Sequence, residues 1–105
     1  MMLDDQIQLA EQIANQLPEV SRNDWMRWMQ VVGRYGLDRA VTYAERLSVD
    51  PTLRPAVRRD NQLIAQAVRS HLPALRRLPE ESRKKTLGYV GWLLRIHTVR
   101  GSLRG

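Results

Sequence analysis

The stretch Asp24–Leu47, DWMRWMQVVGRYGLDRAVTYAERL, decides how this chain is read. At 100° per residue, Trp25, Trp28, Met29 and Val32 fall in one narrow arc with Tyr35 at its edge, and Arg27, Gln30 and Arg34 fall opposite. Gly36 stops that helix, because the residue closing a helix often turns left-handed and glycine does so without a Cβ penalty. Leu37, Ala40, Val41, Ala44 and Leu47 then open a second apolar stripe, with Arg39, Thr42 and Arg46 on its far side. The stretch predicts an αα-hairpin with apolar faces turned inward and arginines turned outward. The other helices are expected to pack against it.

Upstream, Leu3, Ile7, Ala10, Ile13, Ala14 and Leu17 share one helical face, and Asp5, Gln8, Gln12 and Gln16 the other, until Pro18 ends the run. Ser21 and Asp24 have capping-box spacing at the start of the hairpin. Downstream, Ser48–Pro51 is a break, where Asp50 or Thr52 can cap the next helix. That helix, about 53–72, turns Leu53, Ala56, Val57, Ile64, Ala67, Val68 and Leu72 inward and Arg58, Arg59, Gln62, Gln66 and Arg69 outward. Asp60 falls towards the apolar arc and needs a partner, for which an arginine of the hairpin is the candidate.

Residues 73–78 read as a short helical turn, closed by Pro79. The last helix, about 80–99, is apolar nearly all round and is therefore expected to be buried on more than one side. Its one other strip is Lys84, Gly88, Gly91, Arg95 and Thr98. The two glycines read either as a close approach of another helix or as a groove for a sugar–phosphate backbone between Lys84 and Arg95. The basic tail, 100–105, is expected to fray. No alternating strand pattern occurs. The fold class is all-α: a single domain over residues 1–105, a compact bundle of five to six helices around the hairpin.

The chain has no cysteine, which removes disulfides, thiolate metal sites and a cysteine nucleophile. No apolar run approaches the ~18 residues of a membrane span, and the N-terminal residues are acidic where a signal peptide is basic, so a cytoplasmic protein with no membrane partner is expected. Charge is distributed unevenly. Residues 1–53 carry five basic and eight acidic groups, a net of −3, and residues 54–105 carry twelve and three, a net of +9. Only Lys84 and Lys85 among the basic residues are lysine. Arginine is the residue suited to phosphate, so a polyanion against the C-terminal half is one reading, and a GC-rich genome is the other.

No catalytic constellation can be assembled. His71 and His97 are the only histidines, both placed at the inner or border side of their helices, and neither has a metal-ligand motif beside it. Glu80 and Glu81 are adjacent in sequence and so point about 100° apart on a helix. The expectation is a non-enzyme with no metal, no cofactor and no small-molecule substrate. Trp25 and Trp28 are expected in the core, and Trp92 at an interface. What remains is a set of outward cations: Arg27, Arg34, Arg39, Arg46, Arg58, Arg59 and Arg69. They suit a nucleic-acid backbone better than base readout, because no helix has the layout of a helix-turn-helix reader.

Two segments resemble a family. Val31-x-x-x-Tyr35-Gly36-Leu37-x-x-Ala40-x-x-Tyr43, and Lys85-Thr86-Leu87 leading to Trp92-Leu93-Leu94-Arg95, are similar to the small α-helical subunit of type III CRISPR effector complexes. The type I small subunit is the rival assignment. The resemblance implies a non-catalytic subunit, present in several copies beside larger effector subunits, that contacts the RNA or single-stranded DNA backbone of the target or displaced strand and helps hold the guide–target duplex. By position it points to Arg34 and Arg39 near the Gly36 turn, and to Lys84, Lys85 and Arg95 in the last helix. Two other classes stay open: a helical protein–protein adaptor using its arginine faces against acidic protein, and a small DNA-binding regulator.

Overall fold

Six helices follow one another in the computed structural model: α1 (Leu3–Asn15), α2 (Arg22–Tyr35), α3 (Leu37–Ser48), α4 (Pro55–Ser70), α5 (Leu72–Arg77) and α6 (Glu80–Arg104). The structure describes the backbone of residues 3–104 and the side-chain surroundings of residues 4–96. Among the described residues there is no strand. The radius of gyration is 13.3 Å, the value expected of one close-packed domain of this length (about 13 Å). No helix is long and apolar enough to cross a membrane.

The helices form two pairs, α1 along α6 and α3 along α4, and α2 lies between them, touching α3, α4 and α6. Its two tryptophans make the join. Trp25 is fully buried and its Nε1–H donates to the Leu87 carbonyl of α6 (3.1 Å). Trp28, one turn on, donates to the Ala40 carbonyl of α3 (2.9 Å). The rings meet at 4.9 Å between centroids, tilted by 40°, a favoured aromatic arrangement. Buried indole needs a partner for its N–H, and each of these finds one on a different neighbouring helix. The two rings thus fix how both pairs sit on α2.

Local signals explain the boundaries. Ser21 Oγ accepts from the Asp24 N–H (3.0 Å), the first half of a capping box. Gly36 sits at φ 90° and ψ 168°. The φ is positive, as the helix stop requires, but the ψ is extended instead of left-handed helical, a region open essentially to glycine alone. Its N–H closes α2 on the Val32 carbonyl (2.9 Å) and its carbonyl accepts from the Ala40 N–H (3.1 Å), so a single residue ends one helix and starts the next.

Four expectations change. Ala56 is exposed and Leu53 and Val57 are half-buried, because α4 begins only at Pro55 and its first turn overhangs the core. Neither Asp50 nor Thr52 caps α4; Arg54 holds that position, and Asp50 Oδ1 instead accepts from the Thr52 N–H and hydroxyl (2.9 and 2.7 Å). Tyr35, placed at the edge of the α2 apolar arc, is exposed. The helical backbone of α6 runs through Arg104, into the tail expected to fray.

The glycine strip of α6 divides. A Cβ on Gly91 would lie 3.2 Å from Trp25 Cδ1. Glycine there lets the indole come close enough to reach the Leu87 carbonyl one turn back. A Cβ on Gly88 would meet nothing within 4 Å. Close packing accounts for Gly91 and not for Gly88. His71, half-buried, donates from Nδ1 to the Ala67 carbonyl (2.9 Å) as a satisfied border residue, whereas the His97 and Thr98 side chains lie outside the described residues.

Candidate nucleic-acid interface

The hairpin's two helices each carry a basic stripe. On α2, Arg27, Val31 and Arg34 follow at i, i+4, i+7; on α3, Arg39, Tyr43 and Arg46 do the same. A groove of about 650 Å³ runs beside them, walled by Arg27, Gln30, Val31 and Arg34 of α2 and Tyr43 and Leu47 of α3. Leu53, Val57 and Asn61 close it on the α4 side, and Tyr35 stands at the α2 end. Tyr35 and Tyr43 are 57% and 45% exposed, so both present ring surface to solvent.

Arg27, Arg34, Arg39 and Arg46 are exposed, and none makes a salt bridge among the described residues, although the charge of Arg27 is felt by Asp24. The reason lies on α3. Asp38 and Glu45, also seven residues apart, occupy a different edge of that helix, where Arg76 pairs with Asp38 and Arg69 with Glu45. Arginines from α4 and α5 pair with the two acids of α3 and leave the hairpin's own arginines without a salt bridge.

That exchange redistributes the charge. Of the cations predicted in the C-terminal half, Arg59 pairs with Glu19 (3.7 Å) and Asp60 (3.5 Å), Arg69 with Glu45, and Lys84 with Glu80 (3.7 Å). Arg83 donates to the Leu75 and Leu78 carbonyls (3.1 and 3.4 Å), capping α5. Arg58 is half-buried with its Nε unpartnered, so it is not part of an outward stripe. Lys85 and Arg95 are exposed and unpaired among the described residues, but line no cleft in common with the hairpin arginines. The ten cations do not form one surface. Four gather at the hairpin, and Lys85 stands at a separate cleft between α1 and α6.

Asp60 is buried, as its place on α4 implies, but its partner is not a hairpin arginine. Its Oδ2 accepts from the Ser21 N–H (3.1 Å), its Oδ1 contacts Arg59, and it lies against Asp24 at the end of the groove. Burial, then the hydrogen bond and the charge of Asp60, push the Asp24 carboxyl above its ordinary 3.8; Ser21 and Arg27 offset this only in part. The ionised form of Asp24 is thus less favourable in the folded chain than in the unfolded one, and this penalty is present above the folded pKa. Asp24→Asn should stabilise the protein at pH 7 by about 1 kcal/mol, since the amide can donate to Asp60. Below pH 3.8, with the carboxyl protonated in both states, the gain should vanish. Thermal melts of both forms between pH 3 and 7 check it.

Tyr35, Tyr43 and Asn61 were not singled out by the sequence reading as groove residues. Tyr43 was within reach, because it lies between Arg39 and Arg46 on the same helical stripe. Asn61 was not: only the docking of α4 carries it to the groove wall. Among the described residues no group of three or more His, Cys, Asp or Glu could hold a metal. No protein-family model, curated protein or solved structure matches this chain.

Proposed function

We propose that the protein binds the sugar–phosphate backbone of a single nucleic-acid strand along the α2–α3 groove, as a non-catalytic small subunit of an RNA-guided effector complex. One observation carries the binding: Arg27 and Arg34 line a groove that also presents two tyrosine rings, Arg39 and Arg46 share the helical stripe of its Tyr43, and none of the four makes a salt bridge among the described residues. Guanidinium matches phosphate in fork geometry and is never deprotonated. Tyrosine faces stack on bases of any identity, and only an unpaired strand offers those faces. The groove therefore favours single strands over duplex and reads no sequence. Membership of a type III CRISPR effector rests on the resemblance of the Val31–Tyr43 and Lys85–Arg95 segments.

The two levels separate by experiment. Titration of labelled single-stranded RNA and DNA of mixed sequence should show binding at low salt, weaker for the matching duplex and insensitive to base order. Absence of binding at about 50 mM salt sinks the backbone reading. Purification of the tagged chain from cells carrying a complete effector should bring a short guide RNA with it. Strand binding without co-purified guide RNA leaves the groove assignment standing and removes the effector assignment.

A further inference from the structure

A second cleft, of about 630 Å³, opens between α1 and α6 and is lined by Gln6, Lys85, Gly88, Tyr89 and Trp92. It shares no residue with the hairpin groove. Four of its features are unexplained by folding. Trp92 is 60% exposed, whereas Trp25 and Trp28 are buried. Gly88 stands in the middle of a helix with open space where a side chain would be. Lys85 has no ion-pair partner among the described residues, although its neighbour Lys84 has one. Gln6 is 94% buried, and its amide oxygen has no hydrogen-bond partner.

Together they describe a receptor. Lys85, Gly88 and Trp92 follow at i, i+3, i+7, so they share one stripe of α6 with the glycine as a notch between cation and ring. The two ends are about 10 Å apart along the axis, from the helical rise. A nucleotide spans such a distance from base to phosphate. An indole face takes a planar base, an ammonium takes a phosphate, and a glutamine amide, donor and acceptor at once, can meet the edge of a base. The cleft volume is within the ~300–1,000 Å³ usual for small-ligand sites.

We infer that the α1–α6 cleft holds one unstacked nucleotide, its base on the Trp92 indole with the Gln6 amide towards the base edge and Lys85 on its phosphate. The inference extends the strand-binding reading but rests on none of the groove residues. A nucleotide could arrive within a strand or free, and the recognising chemistry is the same.

Trp92 is the exposed one of the three tryptophans, so stacking should quench the red-shifted part of the emission. The probes are an eight-nucleotide single strand, the same strand with abasic residues, and adenosine and uridine 5′-monophosphates. The normal strand should quench Trp92 and bind about tenfold tighter than the abasic strand. Gly88→Leu, whose Cβ would meet nothing within 4 Å, and Trp92→Ala should each weaken the normal strand and narrow that difference to the share of the groove tyrosines, while melting no lower than the parent. Quenching by the monophosphates as well as the strand identifies a site open to free nucleotides, and quenching by the strand alone identifies one for a nucleotide held in a chain. A normal strand that binds without any Trp92 response, or Gly88→Leu and Trp92→Ala variants that keep the parent's affinity for the normal strand, overturns the inference and leaves the groove reading intact. Failure of every strand to bind, combined with Trp92 quenching by a monophosphate, strikes the groove reading instead.

Discussion

Replacing Arg27, Arg34, Arg39 and Arg46 together by Gln should remove most strand binding at low salt and flatten its salt dependence. Each phosphate contact on a single strand contributes about 0.7 to the slope of log K against log salt, so four contribute about 2.8. Parent affinity should then fall roughly 50-fold between about 50 and 200 mM salt, and the fourfold variant should scarcely respond. The melting temperature should hold, because these side chains are exposed and make no ion pair among the described residues. Arg59→Gln with Arg69→Gln is the contrasting variant. Those two guanidinium groups already face Glu19, Asp60 and Glu45, so a phosphate would have to displace a carboxylate to use them. Their loss should change binding little, and stability by no more than about 1 kcal/mol for each of the exposed pairs with Glu19 and Glu45, with a larger cost where Arg59 leaves the buried Asp60. Anisotropy titrations at three salt concentrations decide between the two sets. Equal loss from both variants would mean that net charge, and not the hairpin groove, governs binding.

The largest effect on stability should come from Trp25→Ala. Removing a fully buried indole costs about 3–5 kcal/mol, a large share of the 5–15 kcal/mol that holds a typical domain. Trp25 spans from α2 to α6, so its loss loosens the seam between the two helix pairs as well as opening a cavity. Trp25→Phe restores much of the volume but no donor for the Leu87 carbonyl, and should cost about 1–3 kcal/mol. Gly91→Ala tests the same contact from the other side: a methyl group 3.2 Å from the ring must displace it. Chemical denaturation of the three variants should rank Trp25→Ala as the most damaging. A loss under about 1 kcal/mol for that variant would show that α2 is not the element joining the pairs.

These two sets of residues also mark how far the chain could be read without coordinates. Helical periodicity in Asp24–Leu47 was enough for the hairpin, for the burial of Trp25 and Trp28, and for the outward aim of Arg27, Arg34, Arg39 and Arg46. These are properties of one helix at a time, and a 3.6-residue repeat carries them. The all-α class, a count of five to six helices against the six observed, and the stop at Gly36 follow from the same local information. Gln6 is an instructive omission: its spacing to Leu9 and Ile13 places it on the inner face of α1, yet only its lack of a partner gives the position meaning.

Which arginines are left unpaired was settled by tertiary structure alone. The sequence shows +9 on residues 54–105 and −3 before them, which points to the C-terminal half as the basic surface. Docking α4 and α5 against α3 brings Arg69 and Arg76 onto Glu45 and Asp38, and the unpaired groove cations sit at the hairpin of the acidic half. Likewise Gly88 and Gly91 are alike in sequence; contact with Trp25 explains one and leaves the other as an open notch. Secondary structure is written in near neighbours along the chain, whereas charge pairing depends on which helix faces meet, and that emerges only when distant segments share one core.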